Sequence, residues 1–331
     1  MKRFLDLADF SREEVVDLLE LAQSLHHKPQ PRALAGKILG LVFFNSSLRT
    51  LSSFQAGMTR LGGSSFVITP GQGTWQLETR PNIVMNGLAA EHIREGIPVL
   101  ASYCDALGVR AFAEGKNLAE DLEERVFSTI DALCDKPLIN LESAANHPCQ
   151  ALADWRTLDE LDVSRHAKFV LSWVYHPKPL PLAVPAATLH MAAMRGMEVV
   201  VARPEGFALP REIMDKARFA AAASGGTVTE TADRAAAMRG AKVLYAKEWG
   251  CTTHYGDVEA DARLRADLMD WCVREPWFAN ASPGATLMHC LPVRRNVAVA
   301  DEILDGARAV VKPEAFNRLV VQMAVLHRML S

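Results

Sequence analysis

The chain has 331 residues, 49% of them hydrophobic and 23% charged, with a formal net charge of -3. That length suits about two domains with real cores, and the near-neutral balance gives no basic field for nucleic acid or an anionic membrane. Apolar runs fall short of the roughly 18 residues a membrane span needs, and Asp6, Asp9, Glu13 and Glu14 interrupt any leader-like stretch at the N-terminus, so a cytoplasmic protein is expected.

The first predicted element is a helix. Ser11 and Glu14 have capping-box spacing, and Val15, Leu18, Leu19, Ala22 and Leu25 repeat at helical intervals. Strand-like runs then alternate with helical ones. The first half offers "ILGLVFF", "SSFVITP", "LGVRAFA" and "PLINLE", with helical patterns at Glu91–Tyr103, Leu118–Leu133 and His147–Leu161. The second half continues with "KFVLSWVY", "MEVVVARP", "AKVLYAKE" and "ATLMHCLP". Near-continuous apolar strands separated by helices predict an α/β protein with parallel sheets covered on both faces. Two doubly wound domains are expected, 1–150 and 151–313, joined by helices, with a last helix over 314–331 packing back on the first. The six cysteines contain no CxxC pair and read as reduced thiols, and the ten histidines contain no HExxH, so no metal is expected.

In open parallel sheets, ligands bind beyond the carboxyl ends of the strands, which puts the active site in a cleft there. Ser47, Leu48, Arg49 and Thr50 follow "ILGLVFF", Arg110 lies in "LGVRAFA", and Glu142 and His147 follow "PLINLE". In the second half Lys247 ends "KVLYAK", and Cys290, Leu291, Arg294 and Arg295 follow "TLMH". A helix starting near Thr50 would aim free N–H groups at an anion, with Arg49 and hydroxyls beside them. An isolated S-x-R-T match would merely cap a helix. His147-Pro148 could likewise be only a helix start, and Lys247 only a surface lysine. Further arginines and a histidine at neighbouring strand ends favour an anion site, and the paired arginines after "HCLPV" point the same way.

"SSLRT", "GVRAF", "HPCQ" and "HCLPVRRN", in this order and spacing, resemble the aspartate/ornithine carbamoyltransferase superfamily essentially end to end. "GTWQLE", "HPKPLPLAVP" and "YAKEWG" resemble its N-acylornithine branch, and the S-M-G loop of ordinary ornithine enzymes is missing. The resemblance implies carbamoyl transfer from carbamoyl phosphate to an N-acyl-L-ornithine in arginine biosynthesis, without metal or organic cofactor. It implies that Ser47, Leu48, Arg49 and Thr50 hold the phosphate and that Arg110 bridges to the carbonyl. His147 and Gln150 would contact the carbamoyl group, the carbonyls of Cys290 and Leu291 would orient its NH2, and Arg318 would assist. Trp75 would reach in from a neighbouring subunit, giving a homotrimer with shared active sites. Glu142, Lys247 and Arg294 would bind the acylated amino acid. The proline-rich stretch 175–185 would be a loop through which later chain threads, knotting the second domain.

Three departures from the family pattern stand out. Leu51 replaces the last arginine of S-x-R-T-R, which leaves Arg49 for phosphate but changes the anchoring of the loop. Ala90 stands where N-acetyl enzymes tend to carry glutamate, and Ala298 where they carry lysine. A carboxylate at position 90 would repel a succinyl tail, so alanine there favours N-succinyl-L-ornithine over N-acetyl-L-ornithine. A nicotinamide dehydrogenase would need G-x-G-x-x-G after a strand, and "FFNSSLR" and "SWVYHPKP" occupy those places. A non-catalytic anion-binding relative is the other rival, with Leu51 its one support.

Overall fold

Ser11 caps the first helix as its spacing predicts. Its hydroxyl accepts from Glu14 N–H at 3.2 Å and the Glu14 carboxylate accepts from Ser11 N–H at 2.8 Å. Helix α1 (Arg12–His27) then buries Val15, Leu18, Leu19, Ala22 and Leu25. The computed structural model describes residues 1–331. The chain divides into two compact units, one of Met1–Ala113, Ala119–Cys149 and Arg318–Ser331, the other of Glu114–Leu118 and Gln150–Asn317.

Strands β1 (Arg3–Phe4), β2 (Ile38–Phe43) and β3 (Ser64–Ile68) are followed by a short parallel pair, β4 (Leu77–Glu78) with β5 (Glu91–His92), then by β6 (Ala106–Arg110) and β7 (Leu138–Glu142). The wholly parallel sheet of the first unit has the order β1-β7-β6-β2-β3. Its helices include α2 (Leu48–Arg60) and α3 (Ile93–Ser102). From β2 the chain winds outward to β3 and later fills the opposite side with β6 and β7. The order therefore reverses between β2 and β6, the place where such sheets bind ligands. Phe43 and Arg110 are register partners there, so the loop into α2 and the Arg110 side chain leave the sheet side by side.

The helix predicted over Leu118–Leu133 is instead two, α4 (Leu118–Leu122) and α5 (Arg125–Leu133). Glu124 turns left-handed between them (φ 48°), and its carboxylate accepts the Ala145 N–H at 2.8 Å. That tertiary bond outcompetes helix continuation. Helix α6 (Pro148–Glu160) follows β7.

The second unit has strands β8 (Lys168–Trp173), β9 (Glu198–Ala202), β10 (Thr227–Thr231), β11 (Val243–Lys247) and β12 (Thr286–Met288), all parallel, in the order β10-β9-β8-β11-β12. Its helices are α7 (Ala183–Arg195), α8 (Arg211–Ser224), α9 (Arg234–Met238), α10 (Val258–Ala266) and the short α11 (Asp301–Leu304). Here the reversal lies between β8 and β11, with Lys247 and Trp173 as register partners at the carboxyl ends. The apolar core under this sheet joins Val170, Leu244, Leu287, Phe278 and Ile303. The strand predicted from "ATLMHCLP" stops at Met288, because His289 N–H leaves the ladder for the Glu314 carboxylate at 2.9 Å.

Helix α12 (Val311–Leu330) closes the chain. Its last part packs in the first unit against α2 at Gly57, where an added Cβ would already lie 3.4 Å from Met323. That close approach sets Arg318 near the start of α2. All six cysteines are free and buried, and no helix is long and apolar enough to cross a membrane.

Candidate functional site

In the first unit the site grows from three strand ends. Ser47 is the N-cap of α2 and its Oγ accepts from Thr50 N–H at 3.2 Å, which fixes the loop so that the first-turn N–H groups are presented beyond the sheet. The capping role expected of Ser47 in isolation is thus real. Thr50 is fully buried and its hydroxyl accepts from Arg318 Nη2 at 2.5 Å, which leaves the hydroxyl proton to be donated elsewhere. Arg110, at the end of β6, lies over the Phe112 ring at 4.4 Å and donates through Nη1 to Glu142 Oε2 at the end of β7. The same carboxylate oxygen lies 3.4 Å from His147 Nε2.

His147 is buried, and burial together with the charges of Arg318, Arg110 and Arg49 holds its imidazole well below the usual value of 6.5. It is therefore a neutral ring that can donate or accept but does not carry charge. Two buried guanidiniums (Arg110, Arg318) share this end of the sheet with one buried carboxylate (Glu142), and Arg49 lies near His147 beside them. The surplus is positive, in a place where burial strengthens each interaction, and an oxyanion is its natural complement.

Trp75 and Ala90 are not part of that cluster in the single chain. Trp75 is 60% exposed and its indole N–H donates to Glu91 Oε2 at 2.8 Å. Ala90, immediately before β5, is exposed as well. Leu88 and Val84 nearby are 91% and 76% exposed, so this whole stretch presents apolar groups outward.

The second unit carries a separate constellation. Gln150 Nε2 donates to Asp154 Oδ1 at 2.8 Å and to Glu314 Oε1 at 3.3 Å, which leaves Gln150 Oε1 as a buried acceptor with no partner in the chain. Leu291 N–H donates to His289 Nδ1 at 2.9 Å, and His289 Nε2 faces Glu248 Oε2 at 3.3 Å. Leu291 is left-handed (φ 58°), a conformation that costs a non-glycine residue about 1–2 kcal/mol. Burial pushes the Cys290 thiol up to about 12, so it stays protonated and only the main chain of this residue is polar in effect.

Lys247 Nζ donates to the Glu248 carbonyl at 3.0 Å and to its carboxylate at 3.1 Å. Burial alone would raise Glu248, but Lys247 and His289 beside it override that and hold the carboxyl well below its usual range. Arg294 donates through Nε to His176 Nε2 at 2.9 Å. His176 was not singled out from the sequence, although a histidine two residues past a buried strand run is the signal that could have found it. Arg295 departs from the paired-arginine expectation. It is exposed and held by Asp301 at 2.7 Å and Asp305 at 2.6 Å, so its charge is already matched at the surface.

Residues 2–160 match the family model "Aspartate/ornithine carbamoyltransferase, carbamoyl-P binding domain", and residues 184–329 match "Aspartate/ornithine carbamoyltransferase, Asp/Orn binding domain". N-acetylornithine carbamoyltransferase of Xanthomonas campestris is 38% identical over 330 residues, 98% of this chain and 97% of that protein. N-succinylornithine carbamoyltransferase of Bacteroides fragilis is 36% identical over 297 residues, 89% and 88% of the two chains. A crystal structure of acetylornithine transcarbamylase complexed with acetylcitrulline superposes with a TM-score of 0.96 at 37% identity, covering 100% of each chain. A variant of N-acetyl-L-ornithine transcarbamylase with one glutamate replaced by alanine, complexed with carbamyl phosphate and N-succinyl-L-norvaline, gives 0.96 at 38% identity over 99% of this chain and 100% of that one. This chain is a carbamoyltransferase and belongs to the aspartate/ornithine carbamoyltransferase family, in the branch of the N-acylornithine enzymes.

Proposed function

We propose that the protein transfers the carbamoyl group of carbamoyl phosphate to the δ-amine of N-succinyl-L-ornithine, giving N-succinyl-L-citrulline and phosphate, as a step in arginine biosynthesis. The observation that supports the donor half is the pair of buried guanidiniums, Arg110 at the end of β6 and Arg318 against Thr50 in the first turn of α2, set against the one carboxylate of Glu142. Ser47, Leu48, Arg49 and Thr50 would take the phosphate, and Arg110 would reach both phosphate and carbonyl. Lys247, Arg294 and Glu142 would hold the amino-acid part of the acceptor. The reading needs no metal and no organic cofactor.

The chemistry follows from where charge develops. The neutral δ-amine attacks the carbamoyl carbon and a C–N bond forms while negative charge gathers on the carbonyl oxygen. Thr50 Oγ–H, Arg110 and the neutral imidazole of His147 are donors suited to that oxygen. The C–O bond to phosphate then breaks, the phosphate leaves with the electron pair, and it accepts the amine proton. Gln150 Oε1 and the carbonyls of Cys290 and Leu291 would accept from the carbamoyl NH2 and hold it in line.

Ala90 and Ala298 support succinyl over acetyl. Ala298 is fully buried, so a lysine there is replaced by core. We take the glutamate altered in the relatives' variants to be the counterpart of Ala90; alanine, proline, serine and valine versions of it are all complexed with N-succinyl-L-norvaline. N-acetyl-L-ornithine is the second reading, favoured by the 38% identity to an N-acetylornithine enzyme. The reading includes a homotrimer in which the exposed Trp75 completes a neighbour's site.

The test is product formation from carbamoyl phosphate with N-succinyl-, N-acetyl- and free L-ornithine side by side. Faster turnover of the succinyl compound is expected. Preference for the acetyl compound would overturn the role given to Ala90, and no transfer to any of the three would favour a non-catalytic anion-binding protein.

A further inference from the structure

Two carboxyl groups at the heart of the second unit have no role in the chemistry above. Asp154, on α6, and Glu314, on α12, are both fully buried and lie within hydrogen-bonding reach of each other. Asp154 accepts from Gln150 Nε2 at 2.8 Å and from Thr188 Oγ1 of α7 at 3.2 Å. Glu314 accepts from Gln150 Nε2 at 3.3 Å and from His289 N–H at 2.9 Å. One pair of acids thus grips two segments far apart in sequence, the start of α6 and the chain that leaves β12.

We propose that Asp154 and Glu314 are positioning residues that lock the Gln150 amide and the His289–Leu291 main chain into one frame for the carbamoyl NH2. Because both acids take hydrogen bonds from Gln150 Nε2, the amide cannot turn over without setting Oε1 against them. Its acceptor oxygen, itself buried, is thereby turned away from both acids. Because Glu314 also takes His289 N–H, the carbonyls of Cys290 and Leu291 keep a constant offset from that oxygen. A frame of three acceptors discriminates an NH2 from an oxygen at the same place.

Two dry carboxyls in contact cannot both ionise, so the pair holds one proton. Burial raises both groups, and the negative charge of Asp154 adds to the rise of Glu314, which is the stronger. The two carboxyls therefore share that proton across the contact between them. The other titratable groups facing the pair are Tyr245 of β11 and Cys290, both pushed up by burial and so neutral, with Glu248 beyond them.

This proposal rests on the carbamoyl-transfer reading for the meaning of the frame, but the shared proton does not. Glu314→Gln preserves a donor towards Asp154 and an acceptor for His289 N–H, losing only the longer contact to Gln150. Glu314→Ala removes both. Kinetics against carbamoyl phosphate, binding of inorganic phosphate by calorimetry, and infrared spectra for a neutral carboxylic acid should be measured on the full chain. Glu314→Ala should lose about 10- to 100-fold in kcat/KM through misplacement of the frame, with phosphate affinity within about twofold of the parent. Glu314→Gln should recover most of that loss, and the neutral-acid band should be present in the parent at pH 7 and missing from both variants. Unchanged kinetics in a folded Glu314→Ala protein, or a Glu314→Gln protein as slow as Glu314→Ala, would overturn the positioning role. Absence of the band would overturn the shared proton. If the parent transfers to no acylornithine while the band behaves as described, the functional reading fails and the proton pair stands.

Discussion

Arg110 and Glu142 end adjacent strands, β6 and β7, and meet there as a buried ion pair. The ladder shifts register between Val109 and Arg110, and the shift is what makes the two residues partners. In this protein the pair also restrains three like charges, because Arg49 and Arg318 share the surroundings of His147 with Arg110. Glu142→Ala should therefore destabilise the fold by about 3 kcal/mol, the usual order for leaving a buried charge without its partner. Added phosphate should restore more stability to the variant than to the parent, since the anion neutralises what the carboxylate no longer does. Thermal melts with and without phosphate check this; equal phosphate effects in both proteins would contradict it.

His147 gives a pH signature whose sign is fixed. Its folded-state value lies well below 6.5, so below about pH 6.5 the unfolded chain binds a proton that the folded chain does not. The His147 contribution should weaken as pH drops from 7 towards 5, against the opposite contribution of Asp154 and Glu314, whose raised values favour the folded chain as pH falls. Stability should therefore fall less, or rise more, over that range in His147→Asn than in the parent. His176 and His327 are lowered as well, chiefly by burial, and add to the His147 contribution in both proteins. Urea titrations across pH 5–7 measure it. Turnover should show no inflection near 6.5 from this ring, and His147→Ala should lower kcat about 10²-fold by deleting a donor to the developing oxyanion.

Much of the placement of these residues could be read from the sequence, and the reason is topological. Parallel strands announce themselves by apolar runs, and the binding edge lies where those runs end, so Ser47, Arg110, Glu142, His147 and Lys247 were locatable by counting. What escaped were interactions between residues distant in sequence. Nothing local marks Arg318 as the donor to Thr50, 268 positions away, or Glu314 as the acceptor for His289. Arg295 looked like half of an anion pair until Asp301 and Asp305 proved to be folded against it. Glu124 interrupts a good helical pattern for one bond to Ala145. Periodicity reports which face is buried; it is silent about which polar groups burial brings together.

Arg265 illustrates support at a distance. It is buried on α10, paired with Asp261 at 2.7 Å, and its guanidinium lies 5.1 Å from the Phe207 ring centre. Its Nη1 also donates to the His176 carbonyl at 3.3 Å, and His176 in turn receives Arg294. Arg265→Lys keeps the charge but loses the planar fork, so it should cost about 1–3 kcal/mol and raise KM for the acylornithine more than it lowers kcat. A variant that melts lower yet keeps the parent KM would detach Arg265 from the positioning of Arg294.

Ala90→Glu tests the acceptor assignment on the protein itself. The residue is exposed and precedes β5, in the stretch that also carries Trp75, so a glutamate fits without repacking a core. It would add one negative charge and one longer side chain where the proposed succinyl carboxylate ends. Like charges about 4 Å apart cost about 1–4 kcal/mol across the range from water to a half-shielded protein surface, so kcat/KM for N-succinyl-L-ornithine should fall at least about 5-fold. N-acetyl-L-ornithine carries no such charge and should keep or gain activity, reversing the preference. Raising the salt concentration should narrow the gap between the two acceptors if repulsion is the cause. A proportional loss with both acceptors, indifferent to salt, would mean that position 90 acts on the enzyme's general competence and not on the acyl group.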